Sequence, residues 1–522
     1  MMAANTRKRM KLSFQPHWLR LGTAVLSATL ALVPAQAQRN ELPNLGGPEG
    51  MTTSAERQWG DRIARVLYRD PDYLQDPLLD EYIARLWSPL LAAAQKRGEL
   101  DDELQSRFAW RILLNNERTI NAFALPGGYL GVNLGLVATV SSDDELASVL
   151  AHELSHVTQR HIARSMDDQA RMTPWVIGSM LLGVIAASHS AQGAQALIVG
   201  GQAAAAQSQL SYSRDMEREA DRVGFGVMRD AGYDPRGFVT MFDKLEHAST
   251  LNDNGNYPYL RSHPMTTERM ADMQARQALL RNLPPVAAHW DQALLAARAR
   301  VLSPNQVDAL RAMANAPVSA QMPLVTQAAT LYASALAQLR LKDYNDAWAQ
   351  SERLMQLLKT PTAASSAAQR ITRLLQVDIR LAQQQYAQAL QVMGTHTVPA
   401  ERPERLALAQ ALLRLPDHPL TPPLTQALRQ YVQLATHDAQ VWSTLSQLYT
   451  AQHAPLAALR ADGEAQAAQL DWSGAIDRLR AAQDLARKSN LQAADQIEAA
   501  IIDSRLRELQ RQLRAQQLSP GN

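Results

Sequence analysis

The chain contains no cysteine. Disulfides and thiol chemistry are therefore excluded, and so is a lipid anchor that needs a cysteine behind a leader. The absence suits an oxidising exported compartment, where a stray thiol is a hazard. A strong excess of one charge is also missing: 52 Lys and Arg stand against 50 Asp and Glu, a formal net charge of +2. Beyond the N-terminal region, no apolar run reaches the roughly 20 residues that a spanning helix needs. Residues 174–188 are almost wholly apolar, but that is fifteen residues, followed by an Ala/Gly-rich run to Ala206. The segment 174–206 reads as a buried helix on the core, as a lid, or as a peripheral membrane contact.

The first thing present is a leader. Arg7, Lys8, Arg9, Lys11 and Arg20 precede an apolar stretch from Leu21 to Val33, and Ala35-Gln36-Ala37 supplies a small-x-small cleavage pattern. Residues 1–37 read as a secretory signal cut before Gln38. The competing reading is an uncleaved anchor, for which the apolar part is short. Cleavage removes five basic and no acidic residues, leaving 47 against 50 and a net charge of −3. No basic surplus remains to argue for nucleic acid. With no second span evident, the expected location is the periplasm.

A chain of 522 residues suggests about three or four domain-sized units. Residues 38–60 hold Pro43, Gly46, Gly47, Pro48 and Gly50 and read as an extended lead-in. Helical apolar spacing follows over 61–98. Residues 108–113 and 121–132 read as strands, the second pair turned at Pro126-Gly127-Gly128. Ser142-Asp143-Asp144-Glu145 is a capping box that opens the next helix. The proline-dotted stretch 284–323 reads as a connector. Beyond it the chain is rich in Ala, Leu and Gln. Tyr344-Asn-Asp-Ala347 and Tyr386-Ala-Gln-Ala389 share a Y-x-x-A step, Trp472-Ser-Gly-Ala475 repeats it with Trp, and Trp442, Leu445 and Tyr449 fit a tetratricopeptide helix. The first two steps lie 42 residues apart, looser than the repeat's usual ~34. A degenerate helical repeat array over 324–515 is the favoured reading, a generic bundle the plainer one. The expected class is α+β and mainly helical, with a zinc domain over 38–283.

The chemistry lies in His152-Glu153-Leu154-Ser155-His156, an H-E-x-x-H sequence. On a helix, positions i and i+4 share a face, so both histidines can address one metal ion. Glu153 then sits where it can take a proton from a metal-bound water. A catalytic zinc wants a third protein ligand. The metzincin extension would need Gly at 159 and His at 162; Gln159 and Ile162 stand there instead. His161 lies well around the helix. The best candidate is Glu217 in Ser213-Arg214-Asp215-Met216-Glu217-Arg218-Glu219-Ala220-Asp221. Glu217 and Asp221 share a helical face, which suits a ligand followed by a carboxylate that holds a ligating histidine. Glu219 should face elsewhere. Without the H-E-x-x-H sequence, E-x-E-x-D would read as a charged helix face.

Together, Ile120-Asn-Ala-Phe-x-x-Pro-Gly-Gly128, H-E-L-S-H and S-R-x-x-E-x-E-A-D resemble the gluzincin peptidases of the CAAX-prenyl-protease type. The leader and repeat-like tail resemble the periplasmic branch of that family. The resemblance implies a thermolysin-like catalytic domain holding one zinc ion on His152, His156 and Glu217. It makes Glu153 the general base and Asp221 the partner of a zinc-bound histidine. It implies unfolded or misassembled outer-membrane proteins as substrates, added as an extra strand beside Asn121–Leu125, with a tail that docks on substrate or on the barrel-assembly machinery. His263, before Pro264, alone reads as a loop residue; the resemblance implies a fourth ligand that holds the enzyme latent. Arg214, His263 and His161 are the candidate oxyanion donors. The alternative function is a repeat-based chaperone or scaffold with gated proteolysis. Prenyl-protein processing ranks below both, because the chain lacks several spans.

Overall fold

The computed structural model describes residues 51–168, 213–251, 258–279, 289–303, 306–360, 365–394, 396–488 and 493–518. The expected leader, the lead-in up to residue 50 and the segment 174–206 lie outside the described residues. Among the described residues, no helix is long and apolar enough to cross a membrane.

Helix α1 (Thr53–Tyr68) starts where the Thr52 side chain accepts the Ala55 N–H. Helix α2 (Pro77–Lys96) starts in the same way at Asp76, with a proline at its first position. Strand β1 (Tyr73–Leu74) precedes α2, and the short α3 (Asp102–Arg107) follows it; β1 joins β2 (Arg111–Asn115), β3 (Ala122–Leu125) and β4 (Tyr129–Asn133) in a mixed sheet of order β1-β2-β4-β3. β4 runs parallel to β2 and antiparallel to β3. The expected hairpin is present, turned by Pro126–Gly128 with Gly127 and Gly128 at positive φ. The expected strand at 108–113 begins three residues later, because Trp110 takes a left-handed conformation at φ 51°. β3 is the terminal strand in that order, so among the described residues one of its edges has no strand partner.

Helix α4 (Leu134–Thr139) leads to α5 (Asp143–Thr158). The capping box is real but shifted by one residue on its return arm. The Glu145 N–H donates to Ser142 Oγ at 3.2 Å, while Glu145 Oε2 accepts from the Ser141 N–H at 2.6 Å. At Arg160 the chain turns left-handed (φ 53°) and restarts as α6 (His161–Asp168). Helix α7 (Arg214–Asp230) is capped by Ser213 and followed by α8 (Arg236–Leu251), α9 (Pro258–Ser262) and α10 (Thr267–Ala278).

Part of the stretch 284–323 is helical, as α11 (Trp290–Leu302) and α12 (Val307–Ala314). Ten helices follow among the described residues: α13 (Leu324–Leu341), α14 (Tyr344–Leu357), α15 (Ser366–Ala382), α16 (Tyr386–Met393), α17 (Arg402–Leu412), α18 (Thr421–Leu434), α19 (Ala439–Ala451), α20 (Pro455–Ala468), α21 (Trp472–Lys488) and α22 (Ala493–Leu518). Four of the turns between them contain a left-handed non-glycine residue: Lys342, Gln384, His453 and Leu470. Two positions after each turn's last residue but one, a helix begins; the alanines Ala347, Ala389 and Ala475 of the Y-x-x-A steps are fully buried in its first turn. The fold is thus mainly helical α+β, with a small mixed sheet and a helical C-terminal region.

One apolar core runs from α2, α5 and α7 through α11 into α13 and α15. A second cluster joins Trp59 and Ile63 of α1, Leu125 and Tyr129 of the sheet and Ile162 of α6 to Leu470. The helical region therefore shares buried apolar surface with the sheet, and that shared burial holds the two together.

Candidate metal centre

Two crossing helices build the site. On α5, Ser148, His152 and His156 repeat every four residues; on α7, Glu217, Asp221 and Gly224 fall at i, i+4 and i+7. The glycine sits at the crossing. A Cβ there would meet the Ala151 carbonyl and the His152 nitrogen at 3.1 Å, so its absence lets α7 lie against the backbone that carries the first histidine. Glu217 and Asp221 are thereby held against His152 and His156, and all four are buried.

The donor atoms converge tightly. His152 Nε2 and His156 Nε2 are 3.0 Å apart, and each is 3.5 Å from an oxygen of Glu217. His263 completes the group: its Nδ1 lies 3.3 Å from His152 Nε2 and 3.0 Å from Glu217 Oε1. Zinc bonds to imidazole and carboxylate are about 2.0–2.2 Å long, so the ligands of a tetrahedral ion stand roughly 3.3–3.5 Å apart. The distances between the donor atoms run from 3.0 to 3.5 Å, close to that spacing, and the chemistry of the set, three imidazoles and a carboxylate, suits zinc. The residues present therefore fit one zinc ion.

Each histidine of the motif is held from behind. His152 Nδ1 lies 2.9 Å from Asp221 Oδ1, which leaves Nε2 to face the cluster. Arg269 of α10 grips Asp221 with Nε and Nη2 at 2.6 and 2.8 Å, and its Nη1 reaches Glu217 Oε2 at 2.8 Å. His156 Nδ1 lies 2.8 Å from His161 Nδ1, and His161 Nε2 lies 3.0 Å from Glu219 Oε2. Tyr259 of α9 stacks on His263 with ring centroids 4.6 Å apart.

Electrostatics follow from burial set against these partners. Burial works against a charged His152, but Asp221 and Glu217 outweigh it and push the ring up to about 9. Burial, reinforced by the charge of His152, holds His156 well below the usual histidine range. Burial alone would raise Glu217; His263 and His152 reverse that and hold it well below the carboxylate range. Asp221 is lowered in the same way by Arg269 and His152 against its own burial. Glu153 goes the other way, raised chiefly by burial.

Glu153 projects from α5 beside the two histidines, towards the sheet. Its Oε2 accepts the Ala124 N–H of β3 at 2.9 Å. Its Oε1 is 3.4 Å from His263 Nε2 and, among the described residues, has no hydrogen-bond partner although buried. Ladder bonding alternates along a strand, so an Ala124 N–H aimed at Glu153 puts Ala122 on the same open edge.

Residues 88–277 match the model of peptidase family M48. That stretch is similar to an M48 peptidase domain. The chain is 34% identical over 290 residues to the beta-barrel assembly-enhancing protease of Escherichia coli K12, covering 54% of this chain and 56% of that one. It is 35% identical over 280 residues to the Yersinia pestis protein of the same name, covering 52% and 54%. It is 32% identical over 161 residues to the mitochondrial metalloendopeptidase OMA1 of Arabidopsis thaliana, covering 31% and 30%. The aligned part spans just over half the length of the two bacterial relatives.

The fold places the residues anticipated from sequence as follows. His152, Glu153, His156, Glu217, Asp221 and His263 meet at one buried point. His161 stays outside the four-donor group, as expected from its position, but it backs His156. Glu219 does not turn away from the site; it holds His161 and pairs with Arg164 at 2.8 Å. Arg214 is exposed at the first residue of α7. Both ring nitrogens of His161 are engaged. Two buried residues carry no signal in the sequence: Arg269 and Tyr259. Their only hint is nearness to His263, six residues before the one and four after the other.

Proposed function

We propose that this chain is a zinc metalloendopeptidase in which His152, His156 and Glu217 hold the metal. The observation that carries the reading is the convergence of those three groups with Glu153 beside them, buried and holding one oxygen without a partner. When bound, zinc would supply Lewis-acid polarisation of a scissile carbonyl and activation of a water for attack. Glu153 is the proton carrier. It takes the proton as the new C–O bond forms and returns it to the departing amine. Its raised affinity for protons suits both halves of that task. Asp221 and Arg269 orient His152, and His161 with Glu219 orients His156. An extended substrate would lie along the open edge of β3, where backbone pairing tolerates varied sequence.

His263 defines a latent state in this reading. Its Nδ1 takes the corner of the donor set that a water needs, and its Nε2 covers Glu153 Oε1. Catalysis then requires the segment with Tyr259, His263 and Pro264 to withdraw.

The bacterial relatives are named for enhancing beta-barrel assembly. Carried to this chain, with its leader-like start, that name supports a periplasmic enzyme acting on misassembled outer-membrane proteins. The helical region would act as a tetratricopeptide-like docking module for substrate or for the assembly machinery, with an accompanying chaperone role. The deciding test is Glu153→Gln in the full chain. The variant should bind one zinc per chain and lose roughly 100- to 10,000-fold of its casein cleavage. If it also restores envelope integrity as well as the parent does in cells lacking the protein, the scaffold reading replaces the enzymatic one.

A further inference from the structure

A cavity of about 800 Å³ lies between α1 and the helices α18 to α22, and none of its lining residues belongs to the metal cluster. Its size falls within the ~300–1,000 Å³ of ordinary ligand pockets. Its wall is rich in arginine: seven guanidinium groups against the three carboxylates of Asp61, Glu464 and Glu508. Those carboxylates are already engaged. Arg57 pairs with Asp61 at 2.6 Å, and Arg505 takes Glu464 at 3.0 Å and Glu508 at 2.8 Å. Arg460 is paired with Glu498 just beyond the wall. Even with Glu498 counted, arginines exceed carboxylates by three.

Two of the remaining arginines bond to neutral groups. Arg65 Nε donates to Leu470 O at 2.8 Å, and Arg111 Nη1 donates to Ala468 O at 3.2 Å. Carbonyls orient these side chains without neutralising them, and each guanidinium keeps further N–H groups. A histidine stands on the same wall. His437 is pushed down to about 4, by desolvation first and then by the charges of Arg111, Arg57 and Arg505. Between the arginines the wall mixes glutamines and Thr436 with apolar side chains, of which Trp472 is half-buried and Ile501 exposed.

We propose that this cavity binds an extended peptide segment bearing carboxylates beside apolar side chains. Guanidinium forks match carboxylates in two-point contacts. Trp472 and Ile501 offer apolar area that a bare phosphate backbone would leave unused, which favours a peptide over a nucleic acid. The carboxylates can come from acidic side chains or from a free C-terminus. The site stands apart from the peptidase reading and would hold whether or not Glu153 cuts.

The test is fluorescence anisotropy with the full-length Glu153→Gln protein, so that probes are not cut and binding is read independently of cleavage. Three labelled probes are compared: a Glu/Leu peptide with an amidated C-terminus, its Gln/Leu counterpart, and the Gln/Leu peptide with a free carboxylate. The Glu/Leu probe or the free-carboxylate probe should bind roughly 10- to 100-fold more tightly than the amidated Gln/Leu probe, and which one does identifies the source. Arg429→Glu, on an exposed position of α18, should abolish that preference without disturbing the fold. Arg111→Ala should weaken it. Equal binding of all three probes, an unchanged preference in Arg429→Glu, or equally strong competition by a single-stranded oligonucleotide would overturn the proposal.

Discussion

The Nδ1 atoms of His156 and His161 lie 2.8 Å apart. One of them must carry the hydrogen. With His156 Nε2 facing the cluster, its Nδ1 is the N–H and donates to His161, whose own Nε2–H then donates to Glu219. This chain fixes the tautomer of a metal-facing ring, as Asp221 does for His152. Removing such a partner typically costs 10- to 100-fold in metal affinity. His161→Ala should therefore lower zinc affinity by roughly that factor in a chelator competition titration, with the helical circular dichroism retained. His161→Asn, whose amide oxygen can accept from His156, should recover part of it. Unchanged affinity in His161→Ala would mean that the contact is incidental.

His263 is expected to act in the opposite direction. Its ring lies against His152 and covers Glu153, and it stacks on Tyr259. His263→Ala should keep one zinc per chain on the other three ligands and raise the rate of casein cleavage. The pairing of a metal assay with a rate assay separates the possibilities. A variant that loses zinc makes His263 a structural ligand, and one with unaltered rate removes the latent state from the model of the enzyme.

The contrast between these histidines shows what could be read from the chain. His152, Glu153 and His156 are legible because a helix turns i and i+4 to one side, and the capping box marks where that helix starts. Glu217 and Asp221 follow by the same rule. His161 is not legible, because the rule assumes an unbroken helix, and Glu219 is not, because it reaches the site only through His161. Arg160 turns left-handed, α6 starts afresh, and His161, which angular counting sends away from the site, comes back to it. Arg269 lies beyond any local pattern, since its partners are 48 and 52 residues earlier in the chain. In the helical region the buried alanines of the Y-x-x-A steps are visible, but the turns between helices are made by Lys342, Gln384, His453 and Leu470 rather than by glycine. That substitution hides the period.

Asp80, in the first turn of α2, carries a pH dependence. Its carboxyl is pushed up to about 7, by burial first and then by the charges of Asp76 and Asp438, with Arg402 opposing. In the unfolded chain it titrates near ~3.9. Between those values the folded state holds the extra proton, so stability falls as pH rises across the window. The contribution is complete below the unfolded value and gone above about 7. Asp80→Asn should flatten this slope: the parent's urea midpoint should drop more than the variant's between about pH 5 and about pH 8. Equal slopes would show that Arg402 keeps Asp80 ionised throughout.

Asp76 ties α2 to α11 and, through Arg298, to α13, and its loss should be costly for two separable reasons. Its carboxylate caps α2 by accepting the Leu79 N–H at 3.0 Å, and it pairs with Arg298 of α11 at 2.7 Å. Arg298 is buried and also donates to the Tyr332 hydroxyl of α13 at 3.1 Å. Losing the cap alone costs about 1 kcal/mol. Leaving a buried guanidinium without its carboxylate costs about 3–5 kcal/mol. Asp76→Ala should therefore destabilise the protein by several kcal/mol in urea unfolding. The double variant Asp76→Ala with Arg298→Met should regain most of the loss, because an apolar side chain of similar length needs no partner there. A single-variant cost near that of the cap would show that water reaches Arg298. The shared apolar core alone would then hold α2, α11 and α13 together.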